Sequence, residues 1–240
     1  MKKILGIEFG STRIKAVLTD ERAAVVAQGG FEWENILVDG LWSYDMGDVV
    51  KGLRASYKRL AENYRAKYGE ELTEVSAIGI SGMMHGYLAF DKDDRLLAPF
   101  RTWRNTNAKA AAEELTRLFG FHIPMRWSVS QYYQSVLDGL SHVSDIAHLN
   151  TLAGYVHYLL TGKRALGFCE ASGIFPVSGG RYDAVMLEKF DRLLRSKGIT
   201  RSFVDLLPSV LSAGESAGFL TEEGALLIDP TGKQIGRAHV

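Results

Sequence analysis

A single cysteine, Cys169, stands in 240 residues, which excludes a disulfide framework or a thiolate metal site and fits a reducing cytosol. An excess of charge of either sign is also missing. Lys and Arg number 28, as do Asp and Glu, so the overall balance does not argue for nucleic acid or a membrane surface as partner. Local phosphate sites stay open, because they need only a few donors. No apolar run reaches transmembrane length, and the basic start MKKILGIEFG is not a signal peptide, since Glu8 interrupts it early. Cys/His metal spacings, HExxH, GxSxG and GxxxxGK[ST] are all absent, which argues against zinc hydrolases, serine hydrolases and P-loop enzymes. There is no internal repeat and no low-complexity tract. The composition that remains, 46% hydrophobic and 23% charged, is enough for a sizeable core. A soluble, cytoplasmic α/β protein is the expectation.

The chain opens on two strand-length apolar runs. Ile4, Leu5, Ile7 and Phe9 precede the corner Gly10-Ser11-Thr12, and Ile14, Ala16, Val17 and Leu18 follow it with a lone Lys15 among them. So short a corner reads as a β-hairpin. Its glycine, two hydroxyls and backbone N–H groups could converge on an anion, with Glu8 beside them for magnesium or its water. An ordinary hairpin with a polar tip is the alternative this segment leaves open.

Ala24 to Gln28 supplies a third strand, ending the meander at Gly29-Gly30. Asp45 reads as an N-cap, with Asp48 in the first turn. Apolar residues at helical spacing from Met46 to Tyr64 then predict a helix over 46–68, stopped by Gly69. Val75 to Ser81 reads as a buried strand. Leu88 to Phe90 and Leu96-Leu97 form a hairpin about Lys92-Asp93-Asp94. Beyond residue 105 the pattern is mainly helical, with stripes at 108–119, 152–159 and 182–197. A hairpin at the start argues against a Rossmann domain, which runs from its first strand straight into a helix.

Three further clusters carry chemical side chains. Ser81 to Gly86 places His85 just past a predicted strand, where ligands of open α/β sheets bind; a structural histidine is the plain alternative. Arg101-Thr102-Trp103-Arg104-Asn105 interleaves guanidinium and amide donors with a flat aromatic, suited to a polyhydroxylated ligand or a phosphate. A capping segment with a partly buried Trp would look the same. Arg126-Trp127-Ser128 is a smaller version, readable equally as a surface loop with an aromatic anchor.

Taken jointly and in order, the clusters resemble the FGGY family of carbohydrate kinases, within the actin-like ATPase superfamily. GIEFGSTRIKAVL resembles that family's first phosphate motif. ISGMMHGYLAFDKDDRLLAPFRTWRN resembles the sugar-site strand and hairpin of its xylulokinase-type members. FHIPMRWSVSQYYQSVLDG, TLAGYVHYLLTGKRALGFCEASG and LLPSVLSAGESAGFLTEEGALL extend the likeness to residue 228. The resemblance implies an actin-like ATPase, ribonuclease-H-like domain over residues 1–234: a mixed five-stranded sheet with an antiparallel meander and flanking helices. It implies ATP-dependent phosphorylation of a sugar hydroxyl, on a ketopentose such as xylulose or a related ketose or alditol, with magnesium. It also implies roles for particular residues. Met84 and His85 would face the sugar, Trp103 would pack on its carbon skeleton, and Arg104 and Asn105 would bind hydroxyls. Arg126 and Trp127 would close the pocket, while Gly10, Ser11, Thr12 and Lys15 would lie near the nucleotide phosphates. Glu8 replaces the family's usual Asp, so contact with magnesium through water is expected.

The family's catalytic base is an Asp in a Gly-Asp motif near the end of this domain, and a second domain supplies most of the adenine site. No such motif is found near the end here, and Asp229 sits in a turn-like Asp-Pro-Thr-Gly. Residues 235–240, IGRAHV, resemble a reading frame of a sequencing adapter. The expectation is therefore a gene fragment without useful turnover, tending to self-associate through uncovered apolar surface, with the intact protein a candidate homodimer. A non-catalytic sugar-binding or regulatory module is the rival reading. A sugarless actin-like or chaperone-like ATPase is a third, disfavoured by His85, Trp103 and Arg104.

Overall fold

The computed structural model describes residues 2–232, 235 and 238–240. Strands β1 (Ile4–Phe9) and β2 (Arg13–Thr19) form the predicted hairpin, with Glu8 directly opposite Lys15. β3 (Val25–Glu32) continues the antiparallel meander. It runs four residues past Gln28, so Gly29-Gly30 is strand interior and not a turn. The reason is packing: a Cβ on Gly29 would lie 2.1 Å from the Ser56 carbonyl of the helix above. The glycine permits that approach, and a local reading takes it for a stop. A small hairpin of β4 (Ile36–Val38) and β5 (Leu41–Ser43) leads into α1 (Gly47–Tyr68), which ends at Gly69 in the left-handed conformation. The N-cap is Met46; Asp45 acts from one residue earlier, its Oδ1 accepting the Gly47 N–H at 2.8 Å.

β6 (Ala77–Gly82) pairs parallel to β1, giving the order β3-β2-β1-β6. Period-2 alternation turns Leu5, Ile7, Phe9, Ile14, Ala16 and Leu18 towards α1, where Leu53, Tyr57, Leu60 and Tyr64 complete one core. Glu8, Lys15 and Ser81 share the opposite, exposed face. β6 is therefore half-buried and not the fully buried strand that its apolar run predicts. Among the described residues the sheet has four strands. Beyond β6, among the described residues, an isolated parallel bridge joins Ala77 to His239 in place of the expected fifth strand. Gly236 and Arg237 of the adapter-like segment, and Gln234 at the expected domain limit, lie outside the described residues.

β7 (Gly86–Phe90) is buried along its length because it serves two cores. Leu88 and Phe90 face the first, Tyr87 and Ala89 the second. The expected return arm at Leu96-Leu97 is reduced to a bridge from Phe90 to Leu96, and the ladder partners of β7 are β8 (Arg101–Thr102) and β9 (His148–Asn150). The second core lies among α2 (Lys109–Phe119), α3 (Ser128–Leu137) and later helices, and centres on Phe190, ringed by Phe119, Tyr132, Tyr133, Phe175 and Phe203. α4 (Leu152–Thr161), the short α5 (Phe168–Ala171), α6 (Ala184–Ser196) and α7 (Glu222–Ile228) are the remaining α-helices among the described residues. No helix among the described residues is long and apolar enough to cross a membrane.

α3 matters most for the site. Ser128, Ser130, Gln131, Gln134 and Ser135 are buried on it, so its sequence shows no amphipathic stripe. Several of their side chains bind neighbouring segments instead: Ser128 donates to the Gly86 carbonyl of β7 at 2.5 Å, and Gln131 donates to Asn107 Oδ1 and the Met125 carbonyl. The Arg101 guanidinium, itself buried, donates to Ser135 Oγ at 2.8 Å. A buried polar group without a partner costs roughly 1–3 kcal/mol, so this helix fixes its neighbours in place.

Candidate functional site

The corner after β1 is held by its carbonyls. Trp33 Nε1 donates to the Gly10 carbonyl at 2.7 Å, the Tyr44 hydroxyl donates to the Ser11 carbonyl at 2.7 Å, and the Trp33 N–H donates to the Thr12 carbonyl. The two rings stack with centroids 4.3 Å apart, and Asn35 donates to the Tyr44 oxygen. With its carbonyls engaged from behind, the corner leaves the N–H and hydroxyl groups of Ser11 and Thr12 without a protein acceptor among the described residues. Gly10 turns tightly: its N–H donates to the Arg13 carbonyl, and a Cβ there would stand 3.1 Å from that oxygen. Beside the corner Lys15 Nζ lies 3.5 Å from Glu8 Oε2, both side chains about half exposed. Trp33, Asn35 and Tyr44 were not singled out from the sequence; a Trp and a Tyr some twenty to thirty residues downstream carry no local signal.

The second cluster follows β6. Gly82 packs on the backbone at the start of α4, where a Cβ would come 3.2 Å from the Ala153 nitrogen. The next residues carry Met84 and His85 past Gly173, where a Cβ would lie 2.3 Å from the Met84 carbonyl and 3.1 Å from His85 Nδ1. Gly173, whose missing side chain lets this segment pass, is a position that sequence reasoning did not single out. Burial lowers the His85 pKa, the Arg126 cation lowers it further, and a backbone group of Gly173 partly offsets both. The imidazole is therefore neutral at pH 7. Burial also raises the pKa of nearby Glu170, with a Thr151 hydrogen bond opposing.

The third cluster divides. Trp103 is 46% exposed and lines a groove of about 580 Å³ with Asn105, Lys109, His122, Met125 and Arg126. Arg104 turns the other way, into a cavity of about 590 Å³ shared with Ser11, Thr12, Lys15 and Trp42. Its guanidinium lies 3.8 Å from the centre of the Trp42 ring. Asn105 is buried, and its amide is already engaged: Oδ1 accepts the Trp42 N–H and Nδ2 donates to the Trp42 carbonyl, both at 2.8 Å, with a longer bond to the Thr102 carbonyl. It holds the Trp42 backbone much as a strand neighbour would. Arg126 is exposed, and the half-buried Trp127 packs near Phe121 at the head of α3. The structure thus brings Arg104 to the Ser11–Thr12 corner and leaves Trp103 with Arg126. A larger cavity of about 710 Å³, between α1 and residues 228–231, includes none of these side chains.

The mixed sheet, an antiparallel meander with β6 parallel to β1, belongs to the actin-like ATPase fold, shared with solved kinases. Residues 3–124 match the family model described as the FGGY family of carbohydrate kinases, N-terminal domain, and the chain belongs to that family. Xylulose kinase of Escherichia coli (strain K12) is 30% identical over 92% of this chain and 44% of its own length. Xylulose kinase of Haemophilus influenzae is 23% identical over 93% of this chain and 47% of its own. The crystal structure of a xyloylose kinase from Brucella ovis superposes with a TM-score of 0.79 at 22% identity, covering 99% of this chain and 47% of that one. The chain spans about half the length of the curated relatives it matches.

Proposed function

We propose that this chain is the sugar- and phosphate-holding half of an ATP-dependent sugar kinase, whose acceptor is a ketopentose such as xylulose or a related ketose or alditol. The observation that carries the reading is the corner. Its carbonyls are engaged by Trp33 and Tyr44 while the donors of Ser11 and Thr12 stay free, an arrangement suited to a polyphosphate. Phosphoryl transfer asks mainly for positioning and neutralisation of charge. Lys15 stands beside the corner for that purpose.

On the sugar side, neutral His85 can exchange hydrogen bonds with a hydroxyl, and the open face of Trp103 suits the C–H face of a sugar. On this reading Met84 faces the same sugar, and Arg126 and Trp127 close the pocket. Asn105 acts on this reading by holding the loop, since its amide is taken up by Trp42. Magnesium fits the donor set in a limited way. Glu8 is a single carboxylate at the corner, and no cluster of three or more metal-ligating side chains exists among the described residues. One carboxylate, through water, together with substrate phosphates is a set that magnesium accepts. When bound, the ion would neutralise phosphate charge.

The test is thermal stability of the purified chain against ketoses, alditols and Mg-ADP, because a ligand of the native state raises the melting temperature by mass action. A sugar-selective rise that vanishes in His85→Ala and in Trp103→Ala is expected. A folded sample that responds to no sugar overturns the sugar assignment.

A further inference from the structure

We propose that Arg104 binds phosphate, as the cation that meets the terminal phosphate at the Ser11–Thr12 corner, and is not a contact to sugar hydroxyls. This rests on the phosphate reading of the corner. The geometry comes from three places. Arg104 lines the same cavity as Ser11 and Thr12. Its guanidinium lies over the Trp42 indole, 3.8 Å from the ring centre, and the Trp42 backbone is pinned at both its N–H and its carbonyl by Asn105. Tyr44, whose hydroxyl donates to the Ser11 carbonyl, also feels the Arg104 charge. The guanidinium is thus a restrained group, held over an aromatic ring and without a side-chain hydrogen-bond partner among the described residues.

Charge pairing singles it out. Of the cations lining this cavity, Arg13 lies 2.9 Å from Glu32 and Lys15 lies 3.5 Å from Glu8. Arg104 has no carboxylate within ion-pair distance among the described residues. The remaining charge is Glu34, exposed on the cavity wall. A planar guanidinium matches a phosphate bidentately, and stacking on an indole is an orientation that a lysine would not keep. A neutral hydroxyl accepts from such a donor too, but it carries no charge to neutralise and draws less from the pairing than a phosphate does.

The phosphate could arrive on a nucleotide or leave on the sugar, so the probes are inorganic phosphate, Mg-ADP, a ketopentose 5-phosphate and the neutral ketose. Each is titrated against the 240-residue chain by calorimetry or tryptophan fluorescence. Arg104→Gln is expected to weaken inorganic phosphate about tenfold, the effect of losing one charge-assisted contact at an exposed site. It should change neutral ketose binding less than about twofold and flatten the salt dependence of phosphate binding. Arg104→Lys should fall between, and Glu34→Gln should tighten phosphate slightly. Whichever of Mg-ADP and the ketopentose phosphate shows the larger loss names the source.

Arg104 is exposed, so melting of the variants should match the unsubstituted chain. Loss of ketose binding with phosphate unchanged would overturn the proposal and restore a hydroxyl contact. Equal losses for both would overturn it too. The corner is tested separately by Ser11→Ala with Thr12→Ala. Phosphate binding lost there but intact in Arg104→Gln rejects the arginine and keeps the corner, whereas an unsubstituted chain that binds no phosphate rejects both.

Discussion

Asn105 gives the sharpest test of how the site is assembled. Its buried amide makes three hydrogen bonds to backbone, two to Trp42 and one to Thr102. At about 1 kcal/mol net each, Asn105→Ala would cost about 3 kcal/mol. Trp42 is half-buried, so water can recover part of that and about 2 kcal/mol is the better figure. For a chain of this size that is a fall in melting temperature of about 4–8 °C. Asn105→Asp adds a pH signature. One oxygen can still accept the Trp42 N–H, but the other would face the Trp42 and Thr102 carbonyls as an anion. Protonated, it can donate to one of them. The folded-state pKa of the new carboxyl is therefore raised above its unfolded value near 3.9. By linkage, the stability from the protonated acid is complete below about pH 3.9 and is lost as pH rises through the raised pKa. Scanning calorimetry of Asn105→Ala and Asn105→Asp between pH 4 and 8 is the assay. The gap between Asn105→Asp and the unsubstituted chain should widen towards neutral pH. A melting temperature for Asn105→Ala within about 1 °C of the unsubstituted chain would refute the claim that this amide fixes the Trp42 segment.

Two further outcomes follow from the packing and the charges. In Gly173→Ala the new methyl meets the Met84 carbonyl at 2.3 Å, so about 1–3 kcal/mol of overpacking is expected. The ketose-dependent melting shift should disappear while the Mg-ADP shift survives, and loss of both would show general damage. His148, buried and near the Arg164 cation, has its pKa pushed down to about 4, burial being the larger cause. Its contribution to stability is complete above about pH 6.5 and is lost as pH falls through about 4. Melting curves against pH for the unsubstituted chain and His148→Gln should converge in that acid window, and parallel curves would reject the assignment.

Much of the scaffold can be read locally. The hairpin and its Glu8–Lys15 pairing follow from period-2 alternation and a three-residue corner, and the long helix follows from its apolar spacing and Gly69. Where local reading goes astray, a distant partner is responsible. Gly29-Gly30 looks like a turn, yet it is the place where α1 lies against β3. The apolar run at 75–81 looks fully buried but forms a half-buried strand beside an open face of the sheet. α3 shows no stripe because it is buried on all sides, with its serines and glutamines hydrogen-bonded to neighbouring segments and within the helix.

The site divides the same way. Residue chemistry and order along the chain single out Gly10, Ser11, Thr12, Met84, His85 and Trp103 as candidates, because glycine corners and residues just past strands are local features. They also bring the family into view. Which way each side chain faces is not local. Arg104 and Asn105 are neighbours in sequence, yet one lies over Trp42 in a cavity shared with Ser11 and Thr12, and the other is tied to the Trp42 backbone. Trp33 and Tyr44 reach back across 23 and 33 residues to hold the Gly10 and Ser11 carbonyls. Sequence alone determined the kinds of groups available and the strands and helices that carry them, since those depend on near neighbours. Only the tertiary structure decided which donors are already engaged and which stay free for a ligand, because hydrogen bonding is settled by whichever groups the fold brings within about 3 Å.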